Sequence, residues 1–102
     1  MSSDRALSAL ADPTRLKVFE RIAECPRGVG ALAEGLPVSR PAVSQHLKVL
    51  KDAGLVRDEK RGRARIYHLD PAGLGELRAW LDRHWDRSLA AFKALAEQGE
   101  VE

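Results

Sequence analysis

The sequence of 102 residues lacks several features that define other classes of protein. Its single cysteine, Cys25, excludes an internal disulfide and is typical of a reducing compartment. No apolar run approaches the roughly 18 residues that span a bilayer, and the first ten residues lack the basic start and apolar stretch of a secretory signal. We therefore expect one cytoplasmic domain over residues 1–102, with no membrane partner.

Catalytic arrangements are missing as well. The three histidines, His46, His68 and His84, fall in different predicted elements, and no nucleophile–histidine–acid set or carboxylate pair has a recognisable spacing. The glycines of GVG and GLG are isolated, unlike those of a phosphate-binding loop. These absences argue against an enzyme, and no cofactor is expected.

The sequence does contain a local excess of positive charge. The net charge is only +2, but residues 40–65 carry eight basic and three acidic side chains. Residues 1–39 carry five basic and five acidic side chains, and the chain from residue 70 onward carries four basic and seven acidic side chains. Such a concentration is typical of a phosphate-binding surface. An ordinary solvated surface is the alternative, although it does not explain the helix and hairpin predicted there.

Apolar spacing and capping residues predict the order α-α-α-α-β-β-α. The helices are expected over 4–11, 13–24, 29–34, 40–53 and 71–98, and the strands over 55–59 and 64–69 around a turn at 60–63. Asp12, Ser39 and Asp70 are N-cap candidates, each with a proline close behind, and Gly54 is a candidate left-handed helix end. The fold class is mainly α with a small β-hairpin: a helix-turn-helix over 29–53 and a wing over 55–69.

Core positions follow from the same spacing. The candidates are Leu16, Phe19 and Ile22 in the second helix, Val43, Leu47 and Leu50 in the fourth, and Tyr67 and Leu69 on one face of the hairpin. Cys25, at the end of the second helix, is expected to be a buried structural thiol, with a redox or sensing role as the alternative. Gly73 and Gly75 are expected to weaken the first turn of the last helix.

The last helix is too long for a core of this size to cover, at about 40 Å. Its apolar stripe consists of Leu74, Leu77, Leu81, Trp85, Leu89, Phe92 and Leu95. A second copy of the chain would cover the distal half through a two-fold contact, whereas the alternative is packing within one subunit. We therefore expect a homodimer with an interface on helix 71–98 that includes Leu81, Trp85, Leu89 and Phe92.

Three segments together carry a family resemblance: LADPTRLKVFERI, GALAEGLPVSRPAVSQHLKVLKDAGLV and RGRARIYHL. From Leu7 to Leu95 the chain resembles the ArsR-type (ArsR/SmtB-like) winged helix-turn-helix repressors of bacteria. The resemblance implies a homodimer that binds an imperfect palindrome in promoter DNA. It also implies that the two copies are joined through the first and last helices, here 4–11 and 71–98, which adds Leu7 and Leu10 to the expected interface. It also implies release of the DNA by an inducer.

The predicted DNA contacts lie on two elements. On and before the recognition helix, residues 40–53, they are Ser39, Arg40, Pro41, Ser44, Gln45, His46 and Lys48; on the basic wing, residues 57–65, they are Lys60, Arg61, Arg63 and Arg65. Gln45 offers a bidentate amide to an adenine edge in the major groove. The wing cations are expected to contact the backbone or to reach a minor groove. His46 is expected to be partly buried or to contact a phosphate, with base reading as the alternative. Arg15 is a further candidate for a phosphate contact, with an ordinary surface position as the alternative.

The metal sites known in this family are incomplete here. The segment GVGALAEGL contains no thiol or imidazole, and Cys25 alone cannot hold a soft metal. Asp82 and His84 match half of a second site, whereas its other half would fall near Leu95 and Gln98. We therefore expect no metal. The alternatives are a zinc-responsive repressor that uses Asp82 and His84, a winged-helix protein-interaction module, or an unknown organic effector bound beside Trp80 and Trp85.

Overall fold

The computed structural model describes residues 2–101, and the side chains of all of these except Ser2, Phe92 and residues 98–101. The elements follow in the order α1 (Ser2–Leu10), α2 (Pro13–Glu24), α3 (Val29–Ala33), α4 (Arg40–Asp52), β1 (Val56–Arg61), β2 (Ala64–Leu69) and α5 (Pro71–Val101). The predicted fold class is therefore confirmed. None of the helices between residues 2 and 101 has the length and apolar character that a membrane span requires.

The predicted N-caps hold the starts of three helices. The Asp12 carboxylate accepts a hydrogen bond from the backbone N–H of Arg15 (2.9 Å), and the Asp70 carboxylate accepts one from Ala72 (3.0 Å). The Ser39 hydroxyl accepts one from the N–H of Ala42 (3.3 Å). These acceptors satisfy N–H groups that have no partner inside the helix.

The core lies between α1, α2, α3, α4 and the hairpin. Its largest fully buried side chains are Ile22, Leu32, Leu47, Leu50, Leu55, Val18, Val43 and Val56. The prediction for α4 is confirmed. For α2 it is partly wrong, since Leu16 and Phe19 are only half-buried and Val18 is buried completely. Val18 and Ile22 lie one helical turn apart on the innermost line of α2, and Phe19 packs against the edge of the core.

The hairpin is longer and its turn is tighter than predicted. β1 continues to Arg61, which pairs with Ala64, so Gly62 and Arg63 form a two-residue turn in place of the expected four. Gly62 has φ +60°, the conformation that such a turn requires at its first central position. Gly54 has φ +79° at the end of α4, as predicted.

β2 has a second neighbour that the sequence did not reveal. Arg27, in the segment between α2 and α3, exchanges two backbone hydrogen bonds with Tyr67 (2.8 and 3.3 Å). Tyr67 and Leu69 pack against the core, as predicted. The wing is thereby joined to the helical body at its base.

Cys25 is exposed, so the prediction of a buried thiol is wrong. It occupies the C-cap of α2, where the backbone becomes extended (φ −164°, ψ 131°) and leaves the helix. Its Sγ lies 3.6 Å from the carbonyl oxygen of Pro26. The direction of the chain after α2 therefore carries the thiol away from the core.

The beginning of α5 packs against α1, and the rest of α5 extends beyond the body. Leu77 is buried, but the described side chains from Leu81 to Glu97 are exposed, apart from a half-buried His84. The molecule consequently measures 65 × 28 × 21 Å.

Candidate nucleic-acid interface

α4 packs its apolar face into the core and exposes a polar, cationic outer face. Val43, Leu47 and Leu50 are buried, which fixes the rotation of the helix about its axis. The predicted contact residues on and before α4, other than His46, are all exposed: Ser39, Arg40, Pro41, Ser44, Gln45 and Lys48. A rigid helix that presents such side chains has the dimensions and chemistry to enter a major groove.

Arg40 lies across the preceding helix, at a point where α3 has no side chain. A Cβ built on Gly30 would stand 2.9 Å from the Nη2 atom of Arg40. Glycine at position 30 therefore leaves the space that the guanidinium occupies. A larger residue there would require the guanidinium end of the Arg40 side chain to shift.

His46 is half-buried, which confirms one of the two predictions made for it. Its Nδ1 lies 3.4 Å from Nη1 of Arg15, and Nε of Arg15 donates to the carbonyl of Ala9 at 2.7 Å. A guanidinium has no acceptor, so in this contact the Arg15 N–H is the donor and His46 Nδ1 the acceptor. Arg15 thus connects the end of α1 to the recognition helix α4 within the chain.

The inner face of the wing contains a carboxylate that the sequence analysis missed. Asp58 Oδ1 lies 2.8 Å from Nζ of Lys51, and Oδ2 lies 2.6 Å from Nη1 of Arg65. Only 8% of the Asp58 side chain is exposed. The hydrogen bond from Lys51, followed by that from Arg65, holds the pKa of Asp58 below its ordinary value. Alternation from the buried Val56, two residues earlier, was the available signal that Asp58 faces α4.

The outer face of the wing contains a second acid-centred cluster. Glu59 Oε1 lies 3.1 Å from Nε of Arg61 and 3.1 Å from Nε2 of His68. The hydrogen bond with His68 and then the charge of Arg61 lower the pKa of Glu59. Of the predicted wing cations, Arg61 and Arg65 therefore have acidic partners. Lys60 and Arg63 are exposed and make no ion pair with any residue that the structure describes.

The predicted dimer residues lie on two helices that pack together, α1 and α5. Leu7 and Leu10 are half-buried, whereas Leu81 is 44%, Trp85 65% and Leu89 49% exposed. The side chain of Phe92 lies outside the described residues. The α5 residues Leu81, Trp85 and Leu89 form an exposed apolar stripe.

The half-site for a metal on α5 gains no further ligand in the structure. Asp82 lies 3.9 Å from Nε of Arg78, and the ring of His84 stacks on Trp80 with centroids 4.0 Å apart. Within the described part of the chain, no three His, Cys, Asp or Glu side chains come close enough together to hold a metal ion.

A helix-turn-helix with an exposed polar recognition helix, followed by a cationic hairpin, defines the winged helix-turn-helix class of DNA-binding domains. Residues 10–59 match the family described as a helix-turn-helix domain. The HTH-type transcriptional regulator Rv2034 of Mycobacterium tuberculosis is 57% identical over 96 residues, covering 94% of this chain and 90% of that protein.

Solved structures agree with these sequence matches. An ArsR-like transcriptional regulator from Rhodococcus sp. RHA1 is 36% identical with a TM-score of 0.75, covering 93% of this chain and 92% of the other. The homodimeric winged helix-turn-helix DNA-binding domain Mb0332 from Mycobacterium bovis is 27% identical with a TM-score of 0.68, covering 86% and 82%. The chain belongs to the ArsR family of transcriptional regulators, which bind DNA and are not enzymes.

Proposed function

We propose that the chain is a homodimeric transcriptional repressor that binds an imperfect palindromic operator in the bacterial cytoplasm. Residues 1–102 act as a single domain, in which the helix-turn-helix is 29–53, the wing is 55–69 and the dimerisation helices are 4–11 and 71–98. Release by a small-molecule effector, which the family resemblance implies, is part of this proposal.

The observation that carries the proposal is the outer face of α4. Arg40, Gln45 and Lys48 are exposed together, on a helix whose other side is held in the core. We propose that α4 lies in the major groove, where Gln45 contacts a base edge and Ser39, Arg40, Pro41, Ser44 and Lys48 contact the backbone or bases. We propose that His46, which is half-buried beside this face, contacts a phosphate.

The wing supplies the second contact with the same half-site. Lys60 and Arg63 are exposed and unpaired among the described residues, and Arg61 and Arg65 belong to the same hairpin. We propose that these cations contact phosphates beside the major groove. Because acidic partners already hold Arg61 and Arg65, we expect Lys60 and Arg63 to contribute more to affinity.

Dimerisation supports this arrangement because it presents two recognition helices to two half-sites. The exposed stripe of Leu81, Trp85 and Leu89 is the surface we assign to the second copy, together with Leu7 and Leu10 of α1. In a closed two-fold dimer the stripe of each copy is buried against the other copy, so neither stripe stays exposed for a third chain. The homodimeric relative Mb0332 has a matching fold.

Selection of duplexes from a random pool by the purified protein tests the proposal. We expect the enriched sequences to contain an inverted repeat with half-sites about one helical turn apart, and affinity to fall steeply with added salt. Retention on heparin without enrichment of any duplex sequence would contradict the proposal.

A further inference from the structure

Asp58 is an acid in the middle of the most basic segment of the chain. It lies on the face of β1 that points toward α4, and its two carboxylate oxygens take different partners. Oδ1 accepts from Lys51, in the last turn of α4, and Oδ2 accepts from Arg65, on β2. One nearly buried carboxylate therefore joins the recognition helix to the returning strand of the wing. We name this set of three residues the Asp58 bridge.

The bridge has two physical consequences for DNA binding. It fixes the direction of the wing relative to α4, so that both elements meet the duplex in one register. The carboxylate also pairs with two cations and offsets one unit of their charge, which would otherwise attract the phosphates of any sequence. Phosphate contacts supply most non-specific affinity, whereas base contacts require correct register.

We propose that Asp58 is a specificity-determining residue, which lowers binding to unrelated DNA and positions the wing and α4 for the operator. This inference rests on the proposed function. It predicts opposite effects of one substitution on two kinds of duplex. Loss of the carboxylate strengthens binding to unrelated DNA and weakens binding to the operator.

Simple charge removal predicts something different. If Asp58 acted only as a negative charge near DNA, Asp58→Asn would strengthen binding to both duplexes by a similar factor. Asp52→Asn is the matched control, because Asp52 is exposed at the end of α4 and makes no ion pair with a described residue. It removes the same charge and leaves the Asp58 bridge intact.

The experiment uses the full chain and two labelled duplexes: one enriched from a random pool by the wild-type protein, and one scrambled duplex of the same composition. Fluorescence anisotropy at several salt concentrations gives both affinities. For Asp58→Asn we expect the ratio of operator affinity to scrambled affinity to fall about tenfold. We also expect the number of phosphate contacts on the scrambled duplex, calculated from the slope of affinity against salt, to rise by about one to two. For Asp52→Asn we expect a ratio within about twofold of wild type.

Lys51→Gln breaks the bridge from the helix side, at a side chain that is 52% exposed. It changes the charge in the opposite direction from Asp58→Asn, yet we expect it to lower the ratio as well, by about threefold. This variant decides the matter if circular dichroism shows that Asp58→Asn does not fold.

An Asp58→Asn ratio like that of Asp52→Asn overturns the inference, as does a Lys51→Gln ratio at the wild-type value. If the wild-type protein enriches no duplex, the proposed function itself is overturned, and this is seen before any variant is made.

Discussion

Gln45 is the side chain on the outer face of α4 whose chemistry best suits a base edge. Its amide offers a donor and an acceptor that match adenine, and Val43 and Leu47 hold the helix beneath it. We expect Gln45→Ala to weaken operator binding by about 1–3 kcal/mol and to relax the preference at one base pair. Affinities for single-base operator variants measure this, and an unchanged sequence profile would refute the assignment.

Arg61 is expected to behave differently, because a phosphate contact carries no sequence information. Arg61→Ala should weaken binding to all duplexes by a similar factor, and because Glu59 already pairs with Arg61 it should reduce the salt slope by no more than about one. Arg87→Ala, which removes an arginine from the exposed surface of α5, is the control and should leave both quantities unchanged. A shift in base preference for Arg61→Ala would show that the wing reads sequence.

Asp58 also makes stability depend on pH, through the lowered pKa that Lys51 and Arg65 produce. A carboxyl whose pKa is lower in the folded state stabilises the protein above its unfolded pKa of about 3.9, and this contribution is lost as pH falls through the folded value. Asp58→Asn should therefore lower the free energy of unfolding near neutral pH, and the difference from wild type should shrink as pH falls below the unfolded pKa. Urea unfolding at a series of pH values from about 7 downward measures this difference. A difference that does not change with pH would assign the effect to packing.

At the scale of the element, two glycines near the start of α5 differ in their surroundings. A Cβ on Gly73 would overlap the carbonyl oxygen of Gly54, whereas a Cβ on Gly75 would meet nothing within 4 Å. Gly73→Ala should therefore destabilise the protein by about 2 kcal/mol or more, because the backbones must separate. Gly75→Ala should stabilise it by up to about 1 kcal/mol through helix propensity. Thermal unfolding of the two variants checks this, and equal shifts in Tm would contradict it.

The same pair of positions shows how far the sequence could predict the elements. Helix propensity predicts that both glycines weaken α5. It does not reveal that Gly73 lies against the backbone of Gly54, which is distant in sequence. Caps and apolar spacing predicted every helix and both strands, because these signals are local. The direction of Cys25 was missed because it depends on the backbone path after α2.

Part of the candidate site was likewise predictable from the local sequence, and part depends on contacts that only the fold creates. The exposed face of α4 was predictable because the buried positions Val43, Leu47 and Leu50 determine which side chains point outward. The wing cations were predictable from composition. Their pairing was not, since the contact of Asp58 with Lys51 joins an acid on β1 to a helix, and only the fold brings the two together.

At the scale of the whole molecule, α5 gives the chain an extended shape. The Cα radius of gyration is 17.7 Å, whereas a compact domain of this length has one of about 13 Å. The excess arises because α5 contains 31 residues, about 46 Å of helix, and packs on the body only near its start. An apolar stripe on such an extension is a surface that favours association with another chain.

A charge placed in this stripe should separate the two copies. Trp85→Asp puts a carboxylate where burial would have to remove its hydration, so we expect a monomer in sedimentation equilibrium. Because one monomer holds a single half-site, operator affinity should fall by about a hundredfold or more and the salt slope should be about half that of wild type. Arg87→Asp introduces the same residue two positions along, on the opposite side of α5 at 100° per residue, and should remain dimeric. If Trp85→Asp stayed dimeric with wild-type affinity, the copies would have to meet through a different surface.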